Sequence, residues 1–131
     1  MKQWLGHVAL IVDDYDTALA YYTEVMGFDI AADIATAEGK RWVLVSPKGS
    51  DCTILLVKAQ TPDQENHIGN QTGGKVFLFL YTDNFDKAYG NFKNNGIRFL
   101  EEPRTESYGK VVLFEDLYGN RWDLIESVTE N

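Results

Sequence analysis

His7-Val8-Ala9-Leu10-Ile11-Val12-Asp13-Asp14-Tyr15-Asp16-Thr17-Ala18 passes from an apolar strand through an acidic turn into the start of a helix, and Phe77-Leu78-Phe79-Leu80-Tyr81-Thr82-Asp83-Asn84-Phe85-Asp86-Lys87-Ala88 repeats that order at an offset of 70. An internal repeat sets the plan of a fold before any single residue is weighed. The match resumes at Val25-Met26-Gly27-Phe28 and Asn94-Asn95-Gly96-Ile97 at an offset of 69, one residue having been lost within the second helix. It returns to 70 at Lys48-Gly49-Ser50 and Tyr118-Gly119-Asn120. The chain therefore reads as two halves of one plan.

Within each half, Asp or Asn side chains stand where they can cap a helix, and Gly27 or Gly96 stands where its C-terminus needs a left-handed residue. Ala18, Tyr22, Val25 and Met26 fall on one helical face, and Ala88 and Phe92 repeat that spacing. Three β-prone runs follow each helix: 29–34, 41–46 and 52–58, then 98–101, 110–115 and 121–126, with Pro47, Gly49, Gly109 and Gly119 as turns. The expectation is an α+β chain of two βαβββ modules, residues 1–58 and 75–131, joined by a polar linker over 59–74.

A length of 131 residues suits one domain with a shared core. Twenty acidic against 12 basic residues leave a net charge of −8 with no Lys/Arg stripe, which argues against nucleic acid as a partner. Apolar runs such as 54–57 and 76–81 fall far short of the roughly 20 residues that cross a bilayer, and the N-terminus lacks the apolar core of a secretory signal. A cytoplasmic protein is expected. Cys52 is the single cysteine, which excludes an internal disulfide and a thiolate-rich metal site; it reads as a small buried apolar residue.

The element order, with His7 on a strand before Asp13-Asp14 and with Asp116-Leu117-Tyr118-Gly119-Asn120-Arg121-Trp122-Asp123 near the end, resembles the glyoxalase/bleomycin-resistance (vicinal oxygen chelate) superfamily. The last segment is similar to that family's Asp-Pro-Asp-Gly-Asn turn, which an acidic ligand follows on the final strand. The resemblance implies that the modules pair into a curved mixed sheet around a concave cavity. It also implies four metal-ligand positions, here His7, Thr53, Phe77 and Asp123. A catalytic divalent ion usually needs three firm protein ligands. Phe77 offers none and Thr53 only a hydroxyl, so no cofactor is expected, with a divalent metal as the alternative.

Because strand side chains alternate faces, the cavity the resemblance implies would receive Phe77, Phe79 and Tyr81, then Thr53, Leu55 and Val57, then Arg121, Asp123 and Ile125, and His7, Ala9 and Ile11. The other face would bury Val8, Leu10, Val12, Ile54, Leu56, Leu78, Leu80, Trp122 and Leu124. The ligand-binding set is expected to be His7, Thr53, Leu55, Phe77, Phe79, Tyr81, Arg121 and Asp123. On its own the aromatic row reads as readily as core. His7 and Asp123 form the candidate catalytic pair, either a general base or a structural link, and His67 reads as a solvated loop residue. Arg104 and Tyr108 correspond to the family's cavity mouth but read as ordinary exposed loop.

Three functions fit this pattern. The leading one is a metal-independent binder of a small planar or apolar molecule, working as a homodimer whose acidic surface suits a basic ligand. Against it stand a metal-dependent lyase, isomerase or dioxygenase with an incomplete ligand set, and a protein that acts only through protein partners.

Overall fold

The computed structural model describes residues 1–128, so the last three residues of the expected second module lie outside the described part. The chain divides into two compact units, Met1–Ile68 and Gly69–Asn131. Each is a mixed sheet with a helix on one face, the α+β class expected from the repeat.

In the first unit the order is β1 (His7–Val12), α1 (Tyr15–Ala20), β2 (Asp29–Ala37), β3 (Lys40–Ser46), β4 (Thr53–Lys58) and a short α2 (Pro62–Glu65). The sheet runs β1-β4-β3-β2, with β1 and β4 parallel and His7 opposite Thr53. Asp14 caps α1, its carboxylate accepting from the Thr17 amide at 2.9 Å and hydroxyl at 2.8 Å, and these bonds lower its pKa. Ala18, Leu19, Tyr22 and Met26 are buried on the helical segment, and Leu10, Val12, Val43, Val45, Ile54 and Leu56 on the strands. Alternation along β1 and β4 thus assigns the core face as expected.

The residue the second helix lacks has a physical counterpart. Tyr21–Val25 continues α1 as a π-helical turn, in which the Met26 amide donates to the Tyr21 carbonyl at 3.2 Å. A π turn takes up one extra residue without moving either end of a helix. Accordingly 6 residues of α1 and 5 of the π turn do what 10 residues of regular helix do in the second unit. Gly27, at φ 75°, then ends the segment.

The second unit contains β5 (Val76–Tyr81), α3 (Phe85–Asn94), β6 (Arg98–Phe99), β7 (Arg104–Glu106), β8 (Gly109–Glu115) and β9 (Arg121–Ser127). Its order is β5-β9-β8-β6, with β7 also on β8. The run expected over 98–101 stops at Phe99, and pairing with β8 resumes at Arg104, just past Pro103, which has no amide to donate. In the core, Phe92 meets Phe114 edge-on at 5.3 Å and Phe114 stacks on Trp122 at 5.8 Å. Among the described residues no helix is long and apolar enough to cross a membrane.

Asp116 explains the turn before β9. Buried at 5% exposure, its carboxylate accepts from the amides of Tyr118 and Asn120, from the Asn120 side chain, and from Trp122 Nε1 at 3.0 Å. The motif that resembles the family's turn is therefore a hydrogen-bonded hub that holds Trp122 in the core and sets the start of the strand bearing Asp123. Cys52 departs from expectation: it is exposed, because it lies in the turn ahead of β4 and outside the strand's alternation.

Candidate functional site

Each unit carries expected site residues on the sheet face away from its helix. In the first, His7 and Thr53 are direct partners in the parallel β1–β4 pair, so their side chains stand side by side. His7 Nδ1 lies 2.6 Å from Thr53 Oγ1, and that hydroxyl lies 3.2 Å from the Gly6 carbonyl. Trp42, from β3, meets the imidazole edge-on with ring centroids 5.6 Å apart. Leu55 sits in the next layer between Ala9 and Leu44. Thr53, one of the four positions implied as metal ligands, thus has its hydroxyl engaged with a neighbouring side chain and a carbonyl.

In the second unit Phe79 stands opposite Asp123 and Tyr81 opposite Ile125. Phe79 is 56% and Tyr81 62% exposed, whereas Asp123 is 8% and Ile125 3% exposed. The rings lie along the edge strand, beside a sheet centre that is already covered. Asp123 Oδ1 is buried and accepts no hydrogen bond among the described residues. Burial raises the Asp123 pKa, Arg104 opposes the rise and Glu101 adds to it. An unpaired buried acceptor costs about 1–3 kcal/mol. A group held in that state is ready to receive a donor.

Phe77 does not continue the Phe79–Tyr81 row. The register slips between Val76 and Leu78, and Phe77 lines a cleft of about 200 Å³ with residues of 69–75, Glu115, Gly119, Asn120 and Arg121. Arg121 is exposed and stands opposite Glu115. Gly69 closes one side, where an added Cβ would lie 1.9 Å from the Tyr118 carbonyl oxygen.

Arg104 is not an ordinary loop residue. As part of β7 it bonds both Glu101 carboxylate oxygens through Nε, and Glu106 at 2.7 Å and Tyr108 at 3.3 Å through Nη1. Tyr108, Glu106 and Glu101 together raise its pKa and keep it charged. Glu101 in turn accepts from the Leu113 amide at 2.9 Å. Arg104 and Glu106 alternate onto one face of β7, with Tyr108 at the next even position, whereas Glu101 lies three residues before Arg104 and is brought to it by the bend ahead of Pro103. Trp42 gives no comparable signal, since only the β3–β4–β1 order brings it to His7.

Of the four positions implied as metal ligands, Phe77 has no lone pair and the Thr53 hydroxyl is hydrogen-bonded. Among the described residues no three His, Cys, Asp or Glu side chains group as a metal site.

Comparison with known proteins agrees with this architecture. The family model described as "Glyoxalase/Bleomycin resistance protein/Dioxygenase superfamily" matches residues 4–124. An uncharacterised protein of Shewanella frigidimarina is 49% identical over 128 residues, covering 96% of this chain and 95% of that protein. The structure of TnmS3, an antibiotic binding protein from Streptomyces sp. CB03234, superposes with a TM-score of 0.77 at 26% identity, covering 97% of this chain and 98% of that one. Methylmalonyl-CoA epimerase of Bos taurus is 28% identical over 122 residues, covering 84% of this chain and 65% of the epimerase.

Proposed function

The chain belongs to the glyoxalase/bleomycin resistance protein/dioxygenase superfamily, and on that premise we propose that it binds a small planar, apolar or cationic molecule without metal-assisted chemistry. The observation that carries this reading is the exposure of Phe79 and Tyr81, at 56% and 62%, side by side on one strand of a unit whose core rings Phe114 and Trp122 are at 0% and 2%. Water-facing rings on a strand beside a buried, unpaired carboxylate oxygen suit a ligand that stacks and donates a hydrogen bond. The net charge of −8 favours a cation over an anion. The antibiotic-binding relative supports the same direction. Two copies act as a homodimer in this reading, and the His7 and Asp123 side chains serve binding.

Proflavine, a planar cation, is a direct probe. It should quench tryptophan fluorescence, and Phe79→Ala should weaken its binding by several-fold to about thirtyfold while the melting curve barely moves. Unchanged affinity in that variant removes the aromatic platform. About one divalent metal per chain in purified protein, lost in His7→Ala, would replace this reading with the metal-dependent enzyme.

A further inference from the structure

We propose that Thr53 is a positioning residue that holds His7 in the Nδ1–H tautomer, so that Nε2 presents a lone pair for an O–H or N–H group of a small molecule bound at the first unit. The proposal concerns the first unit by itself and goes beyond the binding reading above by stating which chemistry that unit selects.

The argument is one of proton counting. The Thr53 hydroxyl has one proton and two neighbours within hydrogen-bond distance, His7 Nδ1 at 2.6 Å and the Gly6 carbonyl at 3.2 Å. A carbonyl can only accept, and its two lone pairs let Gly6 take both this hydroxyl and the Thr53 amide, which donates to it at 3.0 Å. Both side-chain contacts are therefore satisfied together only when the hydroxyl donates to Gly6 and Nδ1–H donates to the hydroxyl. Turning the hydroxyl toward His7 gives up one bond of the pair. The hydrogen bond at one ring nitrogen decides the state of the other. A neutral His7 then carries an acceptor at Nε2, while the edge-on contact with Trp42 limits rotation of the ring.

Placement follows from the strand register. His7 and Thr53 are partners in adjacent parallel strands, so the hydroxyl reaches Nδ1 without any loop having to order. His67 supplies an internal reference, because its Nδ1 lies 2.8 Å from the Asp63 carbonyl, a group that forces the same tautomer.

The test uses the whole chain labelled with ¹⁵N-histidine, with long-range ¹H–¹⁵N correlations recorded at about pH 8.5, above imidazole titration. His67→Gln assigns the signals. Both histidines should show a protonated Nδ1 and an unprotonated Nε2. Thr53→Val should move the His7 proton toward Nε2 and leave His67 unchanged, and Thr53→Ser should restore it. A wild-type His7 protonated at Nε2, or one indifferent to Thr53→Val, overturns the proposal.

Calorimetry with 2-naphthol and 2-methoxynaphthalene reads the selectivity. The naphthol should bind roughly fivefold better, as one neutral hydrogen bond provides, with the preference lost in Thr53→Val and regained in Thr53→Ser. Equal binding of the two by wild-type protein overturns the claim that Nε2 receives the donor. Failure of both naphthalenes to bind overturns the same claim, and the tautomer is decided by the spectra alone.

Discussion

The two units agree on the sheet face that their helices cover and differ on the opposite face. Tyr15 and Asp16 open α1, where Arg41 from β3 lies over the Tyr15 ring at 5.3 Å and pairs with Asp16 at 2.8 Å. Phe85 and Asp86 open α3, where Lys110 from β8 lies over the Phe85 ring at 5.1 Å and pairs with Asp86 at 2.9 Å. Asp14 and Asn84 cap the two helices in the same way. On the opposite faces the repeat lapses: His7 with Thr53 in one unit, Phe79 with Asp123 in the other. Helix-on-sheet packing admits few solutions, so a repeated plan repeats its clamps. The face away from the helix carries no such clamp and bears different chemistry in each unit.

The sharpest way to break this contrast is to truncate a ring on each face. Phe114→Ala removes a fully buried ring in contact with Phe92, Phe99 and Trp122, and should cost about 3–5 kcal/mol in a urea melt. Phe79→Ala, half exposed, should cost under about 1 kcal/mol by the same measurement. Equal losses would mean that Phe79 is core and that the two faces do not differ in kind.

Glycines sharpen it next. At Gly109, φ 147°, a Cβ would lie 2.2 Å from the Glu126 carbonyl oxygen, so Gly109→Ala must push β8 from β9 and should cost about 2–3 kcal/mol. Gly27, φ 75°, meets nothing within 4 Å, and Gly27→Ala should cost only the left-handed penalty of about 1–2 kcal/mol. Thermal melts of the two variants, run side by side, should rank them in that order.

Much of the packing face was legible because it obeys local rules. Alternation along β1 and β4, caps at Asp14 and Asn84 and terminal glycines are all encoded within a few residues. The π turn was legible only as a change of offset from 70 to 69, whose structural form the sequence does not state. The site was less legible, because its key relations join distant residues. The slip that sends Phe77 into the loop cleft arises in the β5–β9 pairing, and Trp42 reaches His7 only through the strand order. Cys52, expected to be buried as lone cysteines commonly are, is exposed because it precedes β4.

Asp123 gives a smaller effect of opposite sign. Burial raises its folded pKa, so the ionised carboxylate penalises the native state. The stability linked to this group is fully present below the unfolded carboxylate pKa and is lost as pH rises through the folded value. Asp123→Asn should therefore stabilise the chain by about 1 kcal/mol at neutral pH, and the gain should vanish on acidification through the carboxylate range. Melting temperatures across that range decide it: a destabilised variant at neutral pH would mean that Asp123 is structurally satisfied and no longer a candidate for binding.

The smallest effect compares the two clamps. Arg41 adds a fork to Asp33, with Nε at 3.1 Å and Nη2 at 2.9 Å, and this fork, ahead of the Asp16 bond, raises its pKa; Lys110 offers a single ammonium to Asp86. The Arg41 side chain is 26% exposed and Lys110 is 42% exposed, so salt should screen the second clamp more. Exposed ion pairs are worth about 0–1 kcal/mol, and an exposed cation over a ring about 0.5–1 kcal/mol. Arg41→Ala should therefore cost about 1 kcal/mol and Lys110→Ala about half that, with the gap widening in 1 M NaCl. Arg41→Lys, which keeps the charge but loses the fork, should fall between them in the same urea melts. Equal costs for all three would show that the contact over the ring, which both clamps share, supplies the stabilisation, and that the fork to Asp33 adds nothing.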